Sequence, residues 1–230
     1  MNNNEQPRYV AELINVSKKF GSNGGRTTAA RNISLRLSPG ELVLLLGPSG
    51  SGKTTLLTLI AGLIEPSTGD VYLFGRNTEN YSTEELQQIR AERFGFIFQN
   101  FLLIDPLTVA GNVELVLRFA GNNPEQCRIR ARQLLEKFNI LHLTERLPAK
   151  LSQGEKQRVA IVRALANNAE LIIADEPTAS LESGQGFEII RMLHMLARQE
   201  GRCVVVASHD LRLAQFADRV LKMADGSLVT

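Results

Sequence analysis

Gly47-Pro48-Ser49-Gly50-Ser51-Gly52-Lys53-Thr54 is the stretch that decides the fold. It fits the spacing G-x-x-x-x-G-K-[ST] without departure, and it stands where that spacing has a mechanism, between a buried strand and a helix. Ahead of it, Glu41-Leu-Val-Leu-Leu-Leu46 is an apolar run stopped by glycine, which suits a strand covered on both faces. Behind it, Lys53 to Leu63 reads as a helix. Glycines let the backbone curl until successive N–H groups point into one hollow, and the helix N-terminus adds positive potential there. The candidate cradle therefore runs from Gly47 through Thr55. Lys53 is placed to reach the outer phosphates of a nucleotide and the Thr54 hydroxyl to ligate Mg²⁺. The bland alternative is a Gly/Ser-rich turn matching by accident, which the strand–loop–helix setting disfavours.

Outward from this loop, strands and helices alternate. Val10 to Val16 and Ile33 to Leu37 read as short strands before a Pro39-Gly40 turn. Apolar runs recur at Leu171 to Ala174 and Cys203 to Ala207, each after helical sequence, which predicts a βαβ rhythm and a mostly parallel sheet. On the helix expected over Gly186 to Glu200, Ile189, Leu193 and Leu196 share one stripe. From Thr108 to about Ala169 the pattern is helical throughout, with pieces at Val109 to Phe119, Glu125 to Phe138 and near Leu141 to Glu145. The expectation is one domain over residues 1–230, with a helical subdomain inserted at 100–157.

Composition bounds the function. The 230 residues carry 26 Lys+Arg against 24 Asp+Glu, a net charge of +2 that implies neither DNA wrapping nor a strong pull to anionic lipid. Two cysteines, Cys127 and Cys203, cannot make a disulfide framework. The Asn-rich start lacks the basic head and apolar core of a secretory signal. The longest strongly apolar stretch, Thr54 to Ile64, is about half of the ~20 residues a membrane helix requires.

A second acidic site closes the chemistry. Leu171-Ile-Ile-Ala-Asp175-Glu176 is an apolar strand ending in two carboxylates. Asp175 can hold Mg²⁺ opposite Thr54, and Glu176 can orient and deprotonate an attacking water. Alone, the pair could simply open a turn before Pro177; beside the phosphate loop, the catalytic reading is the stronger.

Between the two sites lies Leu151-Ser-Gln-Gly-Glu-Lys-Gln-Arg158. Here the chain resembles the nucleotide-binding subunit of an ATP-binding-cassette (ABC) transporter, whose signature reads close to L-S-G-G-Q. The order of motifs agrees from about Tyr9 onward. The resemblance implies an α/β P-loop NTPase fold of the RecA-like kind, a mostly parallel sheet with N-terminal antiparallel strands and an inserted helical subdomain. It implies ATP hydrolysis with ATP and Mg²⁺ as cofactors, adenine stacking on Phe20, and Gln99 in Phe96-Ile-Phe-Gln-Asn100 sensing metal and water. Ala179-Ser-Leu-Glu182 would cross a dimer interface, and His209 would contact the γ-phosphate. Ser152, Gln153 and Gly154 would close on the γ-phosphate held by a second copy, since a helix N-terminus with a hydroxyl and a glycine is itself an anion site. Three departures stand out: Gln153 for glycine, Glu155 for glutamine, and Glu182 for aspartate.

The expected partners are a second copy, head to tail around ATP, and an integral membrane permease met near Phe101 to Leu107; nucleic acid is not expected. This would place the chain in the cytoplasm, on the inner face of the cell membrane through its partner. Ile89 to Val113 looks most like the macrolide-efflux and lipoprotein-release branch. A non-transporting, ATP-gated regulator of the cell-division type would carry the same motifs. A P-loop GTPase lacks support because no N-K-x-D appears, and DNA-repair relatives carry far longer coiled-coil insertions.

Other features stay open or bland. Phe20 could be a core residue at a strand end. Phe101-Leu-Leu-Ile104 could be a core turn or the wall of a groove for a partner's helix. His142 and His194 lack metal-ligand spacing, and Arg128, Arg130 and Arg132 cannot share one helical face.

Overall fold

The computed structural model describes residues 9–21 and 27–229, so the Asn-rich start lies outside the described residues. Two long strands come first, β1 (Ala11–Phe20) and β2 (Thr27–Leu37), then β3 (Leu42–Leu46), the glycine loop and α1 (Lys53–Ile60). Next are β4 (Thr68–Leu73), β5 (Arg76–Asn77), α2 (Thr83–Arg93) and β6 (Phe94–Ile97). Three helices follow, α3 (Val109–Phe119), α4 (Pro124–Lys137) and α5 (Gln153–Leu165). The chain then returns to β7 (Leu171–Asp175), α6 (Ser183–Glu200), β8 (Cys203–Ser208), β9 (Arg219–Ala224) and β10 (Ser227–Val229).

The strands form two sheets. A six-stranded sheet has the order β10-β9-β3-β8-β7-β6 and is parallel except at β10. A four-stranded antiparallel sheet has the order β2-β1-β4-β5. The expected mostly parallel sheet with N-terminal antiparallel strands is therefore present. Two differences extend it: the antiparallel sheet also recruits β4 and β5 from beyond α1, and β1 runs past Val16 to Phe20. Apolar patterning stops at Val16, but pairing with β2 continues through register shifts around Asn15, which takes the left-handed φ of 52°.

Side chains of a strand alternate between faces, and the central strands divide theirs between two cores. Leu42, Leu44, Ile172, Ala174, Val204 and Val206 pack against α3 to α6. Val43, Leu45, Leu171, Ile173, Cys203 and Val205 pack against α1 and the antiparallel sheet. This two-sided burial is why β3, β7 and β8 are apolar at nearly every position.

The helix ends follow from local chemistry. α5 starts at Gln153 because Ser152 caps it, and α4 starts at Pro124 behind the capping Asn123. α6 starts at Ser183, three residues before the expected Gly186, and Gly184 and Gly186 lie within it. α1 ends at Ile60, short of the expected Leu63. A Cβ at Gly95 would fall 2.2 Å from the Ala164 carbonyl, so α5 lies directly on β6 and continues unbroken through residue 157.

Candidate nucleotide-binding site

The loop between β3 and α1 is shaped by close backbone neighbours. A Cβ on Gly47 would sit 2.3 Å from the Met223 carbonyl oxygen, and one on Gly52 would sit 2.2 Å from that of Ala29. Gly52 also has φ of 104°, so only glycine can hand the chain into α1 here. Lys53, the first helical residue, is only 7% exposed. Its Nζ donates to the Gly47 carbonyl at 2.8 Å and the Pro48 carbonyl at 3.1 Å, and lies 3.6 Å from Glu176 Oε1.

The remaining groups arrive from neighbouring strand ends, where ligands of open α/β sheets bind. Thr54 Oγ1 donates to Asp175 Oδ2 at 2.8 Å, joining the start of α1 to the end of β7. Glu176 takes φ of 48°, an uncommon conformation for a residue with a Cβ, and its amide donates to the Ala207 carbonyl at 2.9 Å. Its Oε2 lies 3.0 Å from His209 Nδ1, just beyond β8. A cleft of about 380 Å³ is lined by Ser49, Gly50, Gly52, Lys53, Thr54, Thr55, Gln99, Asp175, Glu176 and His209, with Ala29 on its edge.

Several expected residues lie elsewhere. Gly47, Pro48 and Ser51 do not line the cleft. Gly47 and Pro48 offer Lys53 their carbonyls, while Ser51 is buried, its carbonyl accepting from the Gly226 amide at 2.9 Å. Phe20 ends β1 outside the cleft lining, 45% exposed, with the Lys18 ammonium 5.4 Å from its ring centre. Ser152, Gln153 and Gly154 are also outside that lining. They form the N-terminus of α5, where Ser152 Oγ accepts from the Glu155 amide at 3.3 Å and Glu155 Oε2 accepts from the Ser152 amide at 2.7 Å. That reciprocal cap is a capping box, the same device that Asn123 and Gln126 make at the start of α4. The hydrogen bonds from Ser152 hold the Glu155 carboxyl below its ordinary pKa. A Cβ on Gly154 would come 3.2 Å from Gln185 Oε1 on α6, a neighbour the sequence did not single out.

The residues fit the groups the chemistry requires. Left-handed glycines at 50 and 52 frame a phosphate hollow, with Lys53 beside it. The paired Thr54 hydroxyl and Asp175 carboxylate are hard oxygen donors of the kind Mg²⁺ takes. Among the described residues no group of three His, Cys, Asp or Glu could hold a metal. Both cysteines are buried, and burial pushes their pKa values up.

A second concavity lies outside the cleft. It is about 690 Å³ and is walled by Phe94, Phe96, Phe98, Leu102, Ile104, Leu115, Val116 and Phe119, with Arg90 and Arg163 also lining it. Phe94, Phe96 and Phe98 stack in a row with ring centres 5.9 and 6.0 Å apart, as alternate positions at and beyond β6 require. Of the segment expected at a partner, Leu102 and Ile104 reach this groove, whereas Phe101 is buried. Two residues that sequence reasoning missed hold the segment. Asn112, 1% exposed, accepts from the Ile104 amide at 2.7 Å and donates to the carbonyls of Ile104, Leu107 and Thr108. Arg163 donates to the carbonyls of Phe101 and Leu102.

A glycine loop opening a helix, a lysine inside it, and acidic residues at the next strand ends define a P-loop nucleotide-binding protein. The comparisons narrow the class. The ABC transporter family model matches residues 30–179, and the chain belongs to that family. It is 40% identical over 225 residues to the macrolide export ATP-binding/permease protein MacB of Bartonella henselae, covering 98% of this chain and 34% of that protein. It is 40% identical over 223 residues to the ABC transporter ATP-binding protein MJ0796 of Methanocaldococcus jannaschii, covering 95% of each. The dimeric structure of the MJ0796 cassette matches with a TM-score of 0.88 at 39% identity, over 96% of this chain and 97% of that one. A dimeric post-hydrolysis state of MJ0796 bound to ADP and Pi matches with the same TM-score. The chain thus spans about a third of the length of the macrolide-export relatives, and no helix among its described residues is long and apolar enough to cross a membrane.

Proposed function

We propose that this chain is an ATPase cassette that hydrolyses ATP to ADP and phosphate and so powers a membrane permease. The observation that carries the reading is the placement of Glu176, one residue beyond the Thr54-bonded Asp175 and held between His209 and Lys53. Its carboxylate stands at the lip of the phosphate hollow, where a general base must be. His209 orients that carboxylate from one side and Lys53 from the other. Lys53 and the amides of the loop residues that line the cleft, Ser49, Gly50 and Gly52 to Thr55, take the phosphates, and Phe20 offers an exposed ring to the adenine. Thr54, Asp175 and Gln99 would hold Mg²⁺, which when bound supplies charge neutralisation at the phosphates.

A second copy completes the site. Ser152, Gln153 and Gly154 lie outside this chain's own cleft yet form a capped helix N-terminus suited to an anion, so they serve the nucleotide of a head-to-tail partner. The MJ0796 dimers are the relatives that support this arrangement. The groove along the phenylalanine row receives a helix of the permease, reached through Leu102 and Ile104. This docking keeps the cassette on the cytoplasmic face of the membrane. The macrolide-export relatives favour transport, in the export direction, over a purely regulatory clamp.

The test is phosphate release by the purified chain with Mg-ATP across a protein dilution series. Specific activity that climbs with protein concentration is expected of a site shared by two copies. No phosphate release, or a rate per chain that is flat from dilute monomer upward, contradicts the reading.

A further inference from the structure

Between the cleft and the groove, the chain takes a turn that its own residue types disfavour. Gln99 lines the cleft and Leu102 lines the groove. Between them Phe101 and Leu102 adopt consecutive left-handed conformations, φ 59° and 46°. Side chains with a Cβ clash with the backbone there, so such residues persist only where the surroundings hold them. Locally the turn has two short-range bonds, Phe101 N–H to the Phe98 carbonyl at 3.0 Å and Leu102 N–H to the Asn100 carbonyl at 2.6 Å.

The long-range restraint is Arg163. Its Nη2 donates to the Phe101 carbonyl at 2.7 Å, and its Nη1 donates to the Leu102 carbonyl. Arg163 stands on the last turn of α5, the helix whose first turn is capped by Ser152. Burial lowers its pKa, and no acidic neighbour among the described residues offsets that desolvation. A cation held in a protein wall by carbonyls alone is an expensive way to fill space, and an aliphatic side chain would line the groove as well. What only arginine offers is a planar fork, two parallel donors that meet successive carbonyls.

We propose that Arg163 is a positioning residue whose fork clamps the Phe101–Leu102 turn to α5, so that the groove wall, Gln99 and Ser152 move as one body. Asn112 secures the next stretch, Ile104 to Thr108, so the clamp has to control only the turn itself. The consequence for turnover rests on the ATPase reading above; the clamp is a property of the fold. Without it the turn relaxes from the left-handed region, Gln99 and Ser152 lose their common reference, and a motion at Leu102 no longer reaches α5. Nucleotide binding is spared, because Arg163 is outside the cleft lining and its donors go to the Phe101 and Leu102 carbonyls rather than to the glycine loop or Lys53.

The test uses Arg163→Met, which keeps the aliphatic stem and removes every donor, and Arg163→Lys, which keeps the charge and loses the fork. Amide exchange by NMR on the chain without nucleotide should rise about tenfold or more at Phe101 and Leu102 in the Met variant, with Ile104 and the body of α5 little changed. In ATP turnover, kcat should fall about fivefold or more with KM within about twofold, and Lys should resemble Met rather than the parent. Adding Leu102→Gly to Arg163→Met should recover much of the lost kcat, because glycine occupies the left-handed region without a Cβ clash. A merely space-filling role would show no such rescue. Exchange at 101 and 102 equal to the parent's, or kcat and KM moving together, or no effect of glycine, overturns the proposal. Should Arg163→Met fail to fold by circular dichroism, Arg163→Lys decides by the same readouts. A parent chain that releases no phosphate defeats the ATPase reading, and the exchange difference then still decides the clamp.

Discussion

Replacing Glu176 with glutamine tests the chemistry most directly, because the change is nearly isosteric. The amide oxygen can keep facing Lys53 while the amide N–H donates to His209 Nδ1 in the tautomer that leaves that nitrogen an acceptor, so the geometry of the cleft is nearly preserved. What disappears is a base and a negative charge. Loss of a positioned general base lowers a rate by about 10²–10⁴-fold, some 3–5 kcal/mol in the barrier at about 1.4 kcal/mol per tenfold. The lost charge works in the opposite direction on binding. Lys53 is 93% buried by its 7% exposure and shares its ammonium between Glu176 and two loop carbonyls, so a neutral residue 176 leaves more of that charge for phosphate. ATP affinity should therefore hold or tighten, and dimers should accumulate with ATP. Phosphate release in single turnover, ATP titration calorimetry and gel filtration with ATP read the three quantities. Turnover within about threefold of the parent would refute the base assignment. A loss of turnover matched by an equal loss of ATP affinity would instead make Glu176 a support for Lys53.

Two further substitutions probe the frame of the site. Glu155→Gln should flatten the acid side of the stability profile. The folded Glu155 pKa lies below its ordinary 4.5, so its contribution is present above that value and lost as pH falls through the lowered one, and urea midpoints from pH 6 down to 3 should show the parent declining more steeply. Asn112→Ala should destabilise the chain by about 1–3 kcal/mol, because it leaves the Ile104 amide and the Leu107 carbonyl without their partner, while the Ile104 and Thr108 carbonyls keep their backbone bonds from Leu107 and Asn112 N–H. A urea midpoint unchanged at constant m would contradict that accounting.

What the sequence made legible was whatever strands and backbone dictate. β3, β7 and β8 announce themselves because burial on both faces leaves them apolar, and the motif residues sit at their ends. Lys53, Thr54, Gln99, Asp175, Glu176 and His209 therefore meet in one cleft as the motif order implied. Helix α2 escaped because it buries no residue and carries no apolar stripe, although its capping box at Ser82 and Glu85 was there to be read. β6 escaped because it is four residues long and ends in the motif that drew the eye. Arg163 and Asn112 escaped for a different reason. Each is a single polar residue in a helix, its partners are backbone groups, and backbone groups leave no trace in a sequence. Arg163 reaches across 61 and 62 residues to find them. Phe20 sits at the lip of residues 22–26, which lie outside the described residues, and its part in the site rests on the resemblance and on its exposure.

The resting state of Lys53 carries a consequence for how fast and how tightly nucleotide is taken. A lysine side chain ordinarily surrenders up to about 2 kcal/mol of rotamer freedom when it is immobilised by a ligand. Here that freedom has been given up in folding, since the ammonium is already tethered to the carbonyls of Gly47 and Pro48. In the proposed role, an arriving phosphate would meet a cation in position and displace no solvent-roaming side chain. Selectivity is then sharpened as well. A ligand too short to reach the ammonium cannot draw it outward without breaking the bonds that hold the loop's own curl.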